Sequence, residues 1–280
     1  MNWIKVFTLI GKNNMLIKEL IGKSWYVANG YVDSLDSLDV LEQYVVYNYK
    51  IIKEFKGVVI ATTYKEQSAE LINSNTKLWK KYFPECVLID VKENRGHSFG
   101  IADSENALID YCKSNGIDWI CKSSNDVLIQ EKIFDVQIEE ADLYYLNGFA
   151  KYHLAINGFD YDKMYSEYFY PQTNFYFIDC SKIDYLYNKE YVNETYEYRL
   201  KIPNYNNKIW EYIPDWSCEE FLKKCCDRNG LNKFYFLPKE LHIKLCDVVN
   251  HYNIGDPSHK NIFVNGICHF QFPNESVLEI

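Results

Sequence analysis

Four consecutive polar residues, Ser123-Ser124-Asn125-Asp126, separate the strand-like run Asp118-Trp119-Ile120-Cys121-Lys122 from the apolar run Val127-Leu128-Ile129. They bring hydroxyl, amide and carboxylate oxygens to the point where a short buried strand ends. Two other apolar runs also end in polar groups: Val58-Val59-Ile60-Ala61 in Thr62-Thr63, and Val87-Leu88-Ile89 in Asp90. In an open α/β sheet, ligands bind outside the carboxyl ends of the strands, so these three ends are expected to converge on one polar ligand. Farther along, Asp215-Trp216-Ser217-Cys218-Glu219-Glu220 sets carboxylates at the start of a helical stretch. A carboxylate there can act as a general base on a hydroxyl, or it can cap the helix and face its dipole. His259, in a polar stretch beside Asp256 and Lys260, and His269, between Cys268 and Phe270 in a strand-like run, are imidazoles suited either to a ligand or to a structural hydrogen bond.

The elements that must carry these groups are legible in outline. Leu38, Leu41, Val45, Ile52 and Phe55 share a helical face, which makes residues 1–56 a packing segment with no chemistry of its own. From residue 57, short apolar runs alternate with helical stretches, the pattern of a mostly parallel sheet with crossover helices. Val58 to Ala61 is expected as the first buried strand. A helix is expected from about Ser68 to Phe83, then a second strand over Val87 to Asp90. Ser104 can cap the next helix and Gly116 can end it, ahead of a strand over Asp118 to Lys122. Later strands are expected near Leu143 to Leu146 and Phe175 to Ile178, and a helix from about Ser217 to Arg228.

A chain of 280 residues with 48% hydrophobic and 25% charged residues can bury a large core, which excludes intrinsic disorder. A net charge of -9 gives no uniform positive field for phosphate backbones or anionic membranes, although a local basic groove stays open. No apolar run reaches the roughly 18 to 20 residues of a spanning helix. With no export signal and nine scattered cysteines, reduced thiols and a cytoplasmic location are expected. There is no Cys-x-x-Cys, G-x-G-x-x-G, P-loop, G-x-S-x-G or H-E-x-x-H motif, which removes the main support for zinc-ribbon, thioredoxin-like, dehydrogenase, NTPase, hydrolase and zincin readings.

The order Val58 to Thr63, Val87 to Asp90, Asn94-Arg95-Gly96 with Asn106, and Trp119 to Leu128 resembles the nucleotide-binding half of GT-A fold glycosyltransferases, most like family 2. The resemblance covers about residues 57 to 130, with weaker echoes to 272. It implies an α/β fold, a three-layer αβα sandwich of GT-A type with a mostly parallel central sheet and an elaborated C-terminal acceptor region. With no linker or repeat along the chain, residues 1–280 are expected to form a single domain: 1–56 packing, 57–130 binding nucleotide, and 131–280 binding acceptor. By the same resemblance, Thr62, Thr63, Tyr64, Asp90, Asn94, Gly96 and Asn106 would hold the nucleotide, along with Ser124 and Asn125.

In such enzymes a DxD motif holds a divalent metal on the diphosphate; here it reads Ser-Asn-Asp, so Asp126 alone keeps a carboxylate. Mn²⁺ or Mg²⁺ would take Asp126, oxygens of Asn125 and Ser124, and a late histidine, His259 or His269. Asp215 or Glu219 would be the base of an inverting transfer. The implied activity moves a sugar from a nucleotide diphosphate sugar, with a UDP-sugar favoured, to a hydroxyl of a carbohydrate or other acceptor. A nucleic-acid acceptor is possible but not favoured. The alternatives are a nucleotide-sugar-binding protein of the same fold without catalysis, and a nucleotidyltransferase that would consume a nucleoside triphosphate.

Overall fold

A computed structural model of the chain describes residues 14–62, 67–92, 95, 97–125, 127–139, 143–145, 175–201, 218–229, 234–235, 261–263, 267–269 and 277–279. In chain order these form β1 (Asn14–Leu16), α1 (Ile17–Lys23), β2 (Trp25–Asn29), α2 (Leu35–Ile52), β3 (Val58–Thr62), α3 (Ala69–Tyr82), β4 (Val87–Asp90), α4 (His97–Ser114), β5 (Trp119–Ser123), β6 (Val127–Ile129) and β7 (Gln137–Glu139). There follow β8 (Leu143–Tyr145), β9 (Phe175–Asp179), α5 (Lys189–Leu200), α6 (Cys218–Arg228), β10 (Phe234–Tyr235), β11 (Asn261–Phe263), β12 (Ile267–His269) and β13 (Val277–Glu279).

Among the described residues, seven strands make the central sheet in the order β10-β8-β9-β5-β2-β3-β4. β4, β3, β2 and β5 are mutually parallel, and β9 runs against its neighbours β5 and β8. Apolar clusters cover both faces. Leu38, Leu41, Val45 and Ile52 of α2 and Leu71, Leu78 and Trp79 of α3 pack under one face. Phe99, Ala102 and Leu108 of α4, Val192 of α5 and Phe221 and Leu222 of α6 cover the other. The chain is thus the expected three-layer αβα sandwich. Val59, Ile60 and Ala61 are fully buried, as a parallel strand covered by helices on both sides requires.

The central strand corrects the sequence reading. The first strand of the sheet is β2, not Val58 to Ala61, and it lies between β3 and β5. The segment read as packing alone therefore supplies an interior strand of the sheet. A signal was present: Trp25-Tyr26-Val27-Ala28 is an aromatic and β-branched run closed by Asn29-Gly30. The long amphipathic pattern of α2 overshadowed it.

A second correction concerns α4, which begins at His97, so Ser104 lies seven residues inside it and caps nothing. Phe99 and Ala102 are buried and carry the helical face back toward β4. The other end is as expected. Gly116 has φ +67°, and the N–H groups of Gly116 and Ile117 donate to Lys113 O and Cys112 O at 3.2 and 2.8 Å. This is the paired closure that glycine permits after a helix. α3 starts where the helix was expected, and Ser68 caps it by accepting from Leu71 N at 3.1 Å.

Among the described residues, Cys86, Cys112, Cys121, Cys180 and Cys225 are free and buried. Burial pushes each thiol up, Cys112 and Cys225 to about 12. Only the thiolate reacts readily, so these five should stay unmodified when the folded protein is treated with iodoacetamide at pH 8. Peptide mapping checks this. Rapid labelling of Cys112 or Cys225 would mean that the layer under α4 opens to solvent.

Among the described residues, no helix is long and apolar enough to cross a membrane.

Candidate functional site

The strand order places the site. β3 and β4 extend the sheet to one side of β2, whereas β5 lies on the other, so the chain reverses direction across β2. Right-handed crossovers then place α2 and α3 on one face and α4 on the opposite face. In open α/β sheets the crevice lies where the crossovers part, which makes the carboxyl ends of β2 and β5 the candidate site. The residues there are Asn29, Gly30 and Tyr31 after β2, and Ser123, Ser124 and Asn125 at the end of β5. The parallel registers put Asn29 beside Ala61, Thr62 beside Asp90, and Ala28 beside Ser123. The polar ends singled out in the sequence therefore stand along one edge of the sheet.

Three side-chain amides hold the loop after β2. Asn75 of α3 donates to Gly30 O at 2.7 Å, Asn125 to Tyr31 O at 3.4 Å, and Gln67 to Val32 O at 2.5 Å. The Tyr31 N–H in turn donates to the Asn29 carboxamide oxygen at 3.1 Å. Gly30 must be glycine, because a Cβ there would come within 2.4 Å of Ile60 Cγ2 and 3.2 Å of Trp79 Nε1. The Tyr31 ring, 41% exposed, stands at this rim. Asn29, Gly30 and Tyr31 were missed in the sequence because β2 was missed; Asn-Gly after an apolar run was the available signal.

On the β5 side, Asn125 ties the two walls together through Tyr31 O, and its own carboxamide oxygen is buried with no hydrogen-bond partner among the described residues. Ser124 is half-buried, and its Oγ accepts from Lys122 Nζ at 3.0 Å. Asp126 lies outside the described residues. The residues on either side of it are fixed, however. Asn48 of α2 donates to Val127 O at 2.6 Å and accepts from Ile129 N at 2.8 Å, standing in for a neighbouring strand along that edge of β6. Asn48→Ala would strand both backbone groups in a buried site, a loss of about 1 to 3 kcal/mol for each. Urea denaturation measures it, and a loss under 1 kcal/mol in total would mean that water replaces the amide. The other edge of β6 pairs with β12, where the register sets His269 opposite Val127.

The remaining expected residues are distributed as follows. Thr62 is buried, with its hydroxyl unpartnered. Asp90 is half-buried and pairs with Lys92. Asn106 is buried inside α4, where it donates to Tyr187 O at 2.8 Å and accepts from Tyr187 N at 3.0 Å, well away from the strand ends. Thr63, Tyr64, Asn94, Gly96, Asp215 and His259 lie outside the described residues. Arg95, between Asn94 and Gly96, is engaged by both carboxylate oxygens of Asp103 and by Asn193. Glu219 is the second residue of α6. Phe221 packs on Phe99 in the first turn of α4, with centroids 5.5 Å apart, while Asn229 beyond the far end of α6 donates to Tyr185 O and Leu186 O. The end of α6 that carries Glu219 is therefore the one nearer the crevice.

The oxygens suit a divalent cation unevenly. The unpartnered Asn125 oxygen is a neutral hard donor of the kind that Mg²⁺ or Mn²⁺ accepts. Ser124 is not, because an ammonium already sits 3.0 Å from its oxygen. Among the described residues, no three His, Cys, Asp or Glu side chains gather in one place.

No family model matches the chain, and no curated protein matches it. Solved structures similar to it include a mannose-1-phosphate geranyltransferase from Thermus thermophilus, at 8% identity over 86% of this chain and 82% of that one, with a TM-score of 0.37. Another is a cytidylyltransferase from Leptospira borgpetersenii serovar Hardjo-bovis, at 16% identity over 82% of this chain and 94% of that one, with a TM-score of 0.35. With identities this low and TM-scores under 0.5, these likenesses carry neither a reaction nor a ligand over to this chain.

Proposed function

We propose that the chain is a glycosyltransferase, most like family 2, which binds a nucleotide diphosphate sugar across the crevice between β2 and β5 and passes the sugar to an acceptor hydroxyl. One observation carries the reading: at the point where the strand order reverses, polar groups of Asn29, Tyr31, Ser124 and Asn125 gather, with Asp126 next in the chain. Tyr31 and the held loop of residues 30–32 would receive the nucleoside, and Asp90 would lie toward its outer end. Asp126, the Asn125 oxygen and His269 would hold Mn²⁺ or Mg²⁺, which when bound offsets charge on the departing nucleoside diphosphate. Asp215 or Glu219 would take the proton of the acceptor hydroxyl as it attacks. The rigid loop contributes orientation, because groups already fixed lose little freedom when the donor binds.

The test is a thermal-shift screen of nucleoside diphosphates with and without Mn²⁺, followed by product analysis with UDP-sugars and hydroxyl acceptors. A ligand at 100 times its Kd should stabilise the fold by about 2.7 kcal/mol. Release of a nucleoside diphosphate is the expected outcome. Release of pyrophosphate from a nucleoside triphosphate would replace this reading with nucleotidyl transfer. Binding without turnover over the whole panel would replace it with a nucleotide-sugar-binding protein. Asp126→Asn should abolish the Mn²⁺-dependent part of the shift, and an unchanged shift removes Asp126 from the metal site.

A further inference from the structure

Beneath the strand ends lies a buried charged group that the reading above leaves unused. Lys122 of β5 and Glu105 of α4 have side chains only 4% and 3% exposed, with Lys122 Nζ 3.1 Å from Glu105 Oε1. The Tyr176 hydroxyl donates to Glu105 Oε2, and Lys122 Nζ lies 5.8 Å from the centroid of the Tyr176 ring. Burial pushes the Glu105 carboxyl up, while Lys122 and then Tyr176 pull it back. On its other side, Lys122 donates to Ser124 Oγ at 3.0 Å.

The three groups therefore stand in sequence, carboxylate, ammonium and hydroxyl, from the layer under α4 to the strand end. An ion pair laid end-on is a dipole, and this one turns its positive end toward the crevice. Ser124 Oγ accepts from a charged donor, which turns its own O–H away from Lys122 and leaves that proton to donate, with one lone pair still open. Hydrogen bonds to ionised partners are the strong ones, and an oxygen held by an ammonium makes its hydroxyl a better donor. Stability alone gives no reason for the arrangement, because replacing a buried ion pair with well-packed apolar residues is often neutral or stabilising. Ile120, the previous residue of β5 on the same face, shows that the layer accepts an apolar side chain.

We infer that Lys122 is a positioning residue that makes Ser124 a hydroxyl donor for a phosphate oxygen, so the end of β5 is an anion-receiving subsite whose cation belongs to the sheet itself. The identity of the anion as a diphosphate rests on the proposed function; the subsite does not. Part of the charge compensation assigned to a divalent cation by the Ser-Asn-Asp segment is then supplied by Lys122 and survives removal of metal.

The experiment is titration calorimetry of the full chain in EDTA, with inorganic pyrophosphate, uridine diphosphate and uridine as separate probes. Wild-type protein should bind pyrophosphate and uridine diphosphate. Ser124→Ala should weaken both about tenfold or more, the loss of one charge-assisted hydrogen bond, with uridine affinity unchanged. Ser124→Thr, which keeps the hydroxyl, should restore binding. Lys122→Met combined with Glu105→Gln, which removes both charges together, should match Ser124→Ala.

Undiminished pyrophosphate affinity in Ser124→Ala overturns the inference, as does equal weakening of uridine, or pyrophosphate binding that appears only with Mn²⁺. If uridine diphosphate binds equally well to wild type and Ser124→Ala, the subsite falls and the nucleotide reading stands. If pyrophosphate binds through Ser124 but uridine adds nothing to it, the subsite stands and the nucleotide reading falls.

Discussion

Lys122→Met should destabilise the fold by about 3 to 5 kcal/mol, because it removes one partner of a buried ion pair and leaves the other charge in the interior. Glu105 would keep the hydroxyl of Tyr176 but lose the ammonium 3.1 Å from its Oε1. Its carboxyl would then take up a proton to escape the low-dielectric layer under α4, so the loss should be smaller at acid pH. The direction follows from linkage. Burial already raises this carboxyl in the folded state, and without Lys122 it rises further. The folded variant therefore binds a proton that the unfolded chain releases, and stability falls as pH climbs through the interval between the ordinary glutamate value and the raised one. Adding Glu105→Gln should recover most of the loss at neutral pH, because a neutral amide needs no counter-charge. Urea denaturation at pH 5 and pH 8 reads all three variants. A loss under 1 kcal/mol for Lys122→Met, independent of pH, would mean that water reaches the pair.

Trp79→Ala should cost a similar amount, about 3 to 5 kcal/mol, by the lost burial of the ring and the cavity left behind. Trp79 is 1% exposed and is among the largest fully buried side chains of the core. Its ring leans on Phe83 with centroids 6.3 Å apart, and its Nε1 lies against Gly30. It is therefore both core and floor of the loop after β2. Trp79→Phe separates the two roles. It refills most of the cavity and deletes a buried N–H that has no partner, so it should cost less than half as much, since an unsatisfied buried donor is itself unfavourable. If Trp79→Ala costs under 1.5 kcal/mol, α3 has collapsed into the gap, and the loop of residues 30–32 should then bind any nucleotide more weakly.

The layers and most of the parallel sheet were readable because burial leaves a direct mark. Val58 to Ala61, Val87 to Asp90 and Trp119 to Cys121 are short apolar runs between helical stretches, and the structure places the first two side by side and the third across β2 from them. β2 was not read, although its composition is that of a strand, because no helical crossover precedes it and the pattern of α2 dominates its neighbourhood. That omission left Asn29 and Tyr31, at the end of the neighbouring strand, out of the expected set.

Ser124 and Asn125 were readable as polar residues at a strand end. What each binds was not, because that depends on partners far away in sequence. Asn125 reaches Tyr31, and Lys122, which reads as one more strand residue, gains its meaning only from Glu105 and Tyr176 on two other elements. Asn106 errs in the opposite sense: a polar residue early in a helix pattern suggests a ligand, yet its amide is spent on the backbone of Tyr187.

The three amides that grip Gly30, Tyr31 and Val32 have a consequence for the order of assembly. β2 leaves the ribosome early, but its partners follow at residues 58 and 119, and its clamps at residues 67, 75 and 125. A nascent chain that has not yet reached β5 carries this interior strand with one edge bare, the kind of edge that invites foreign pairing. Completion of the crevice is thus a late folding event, set by contacts distant along the chain, and translation pauses between β2 and β5 should lower yield far more than pauses after β5.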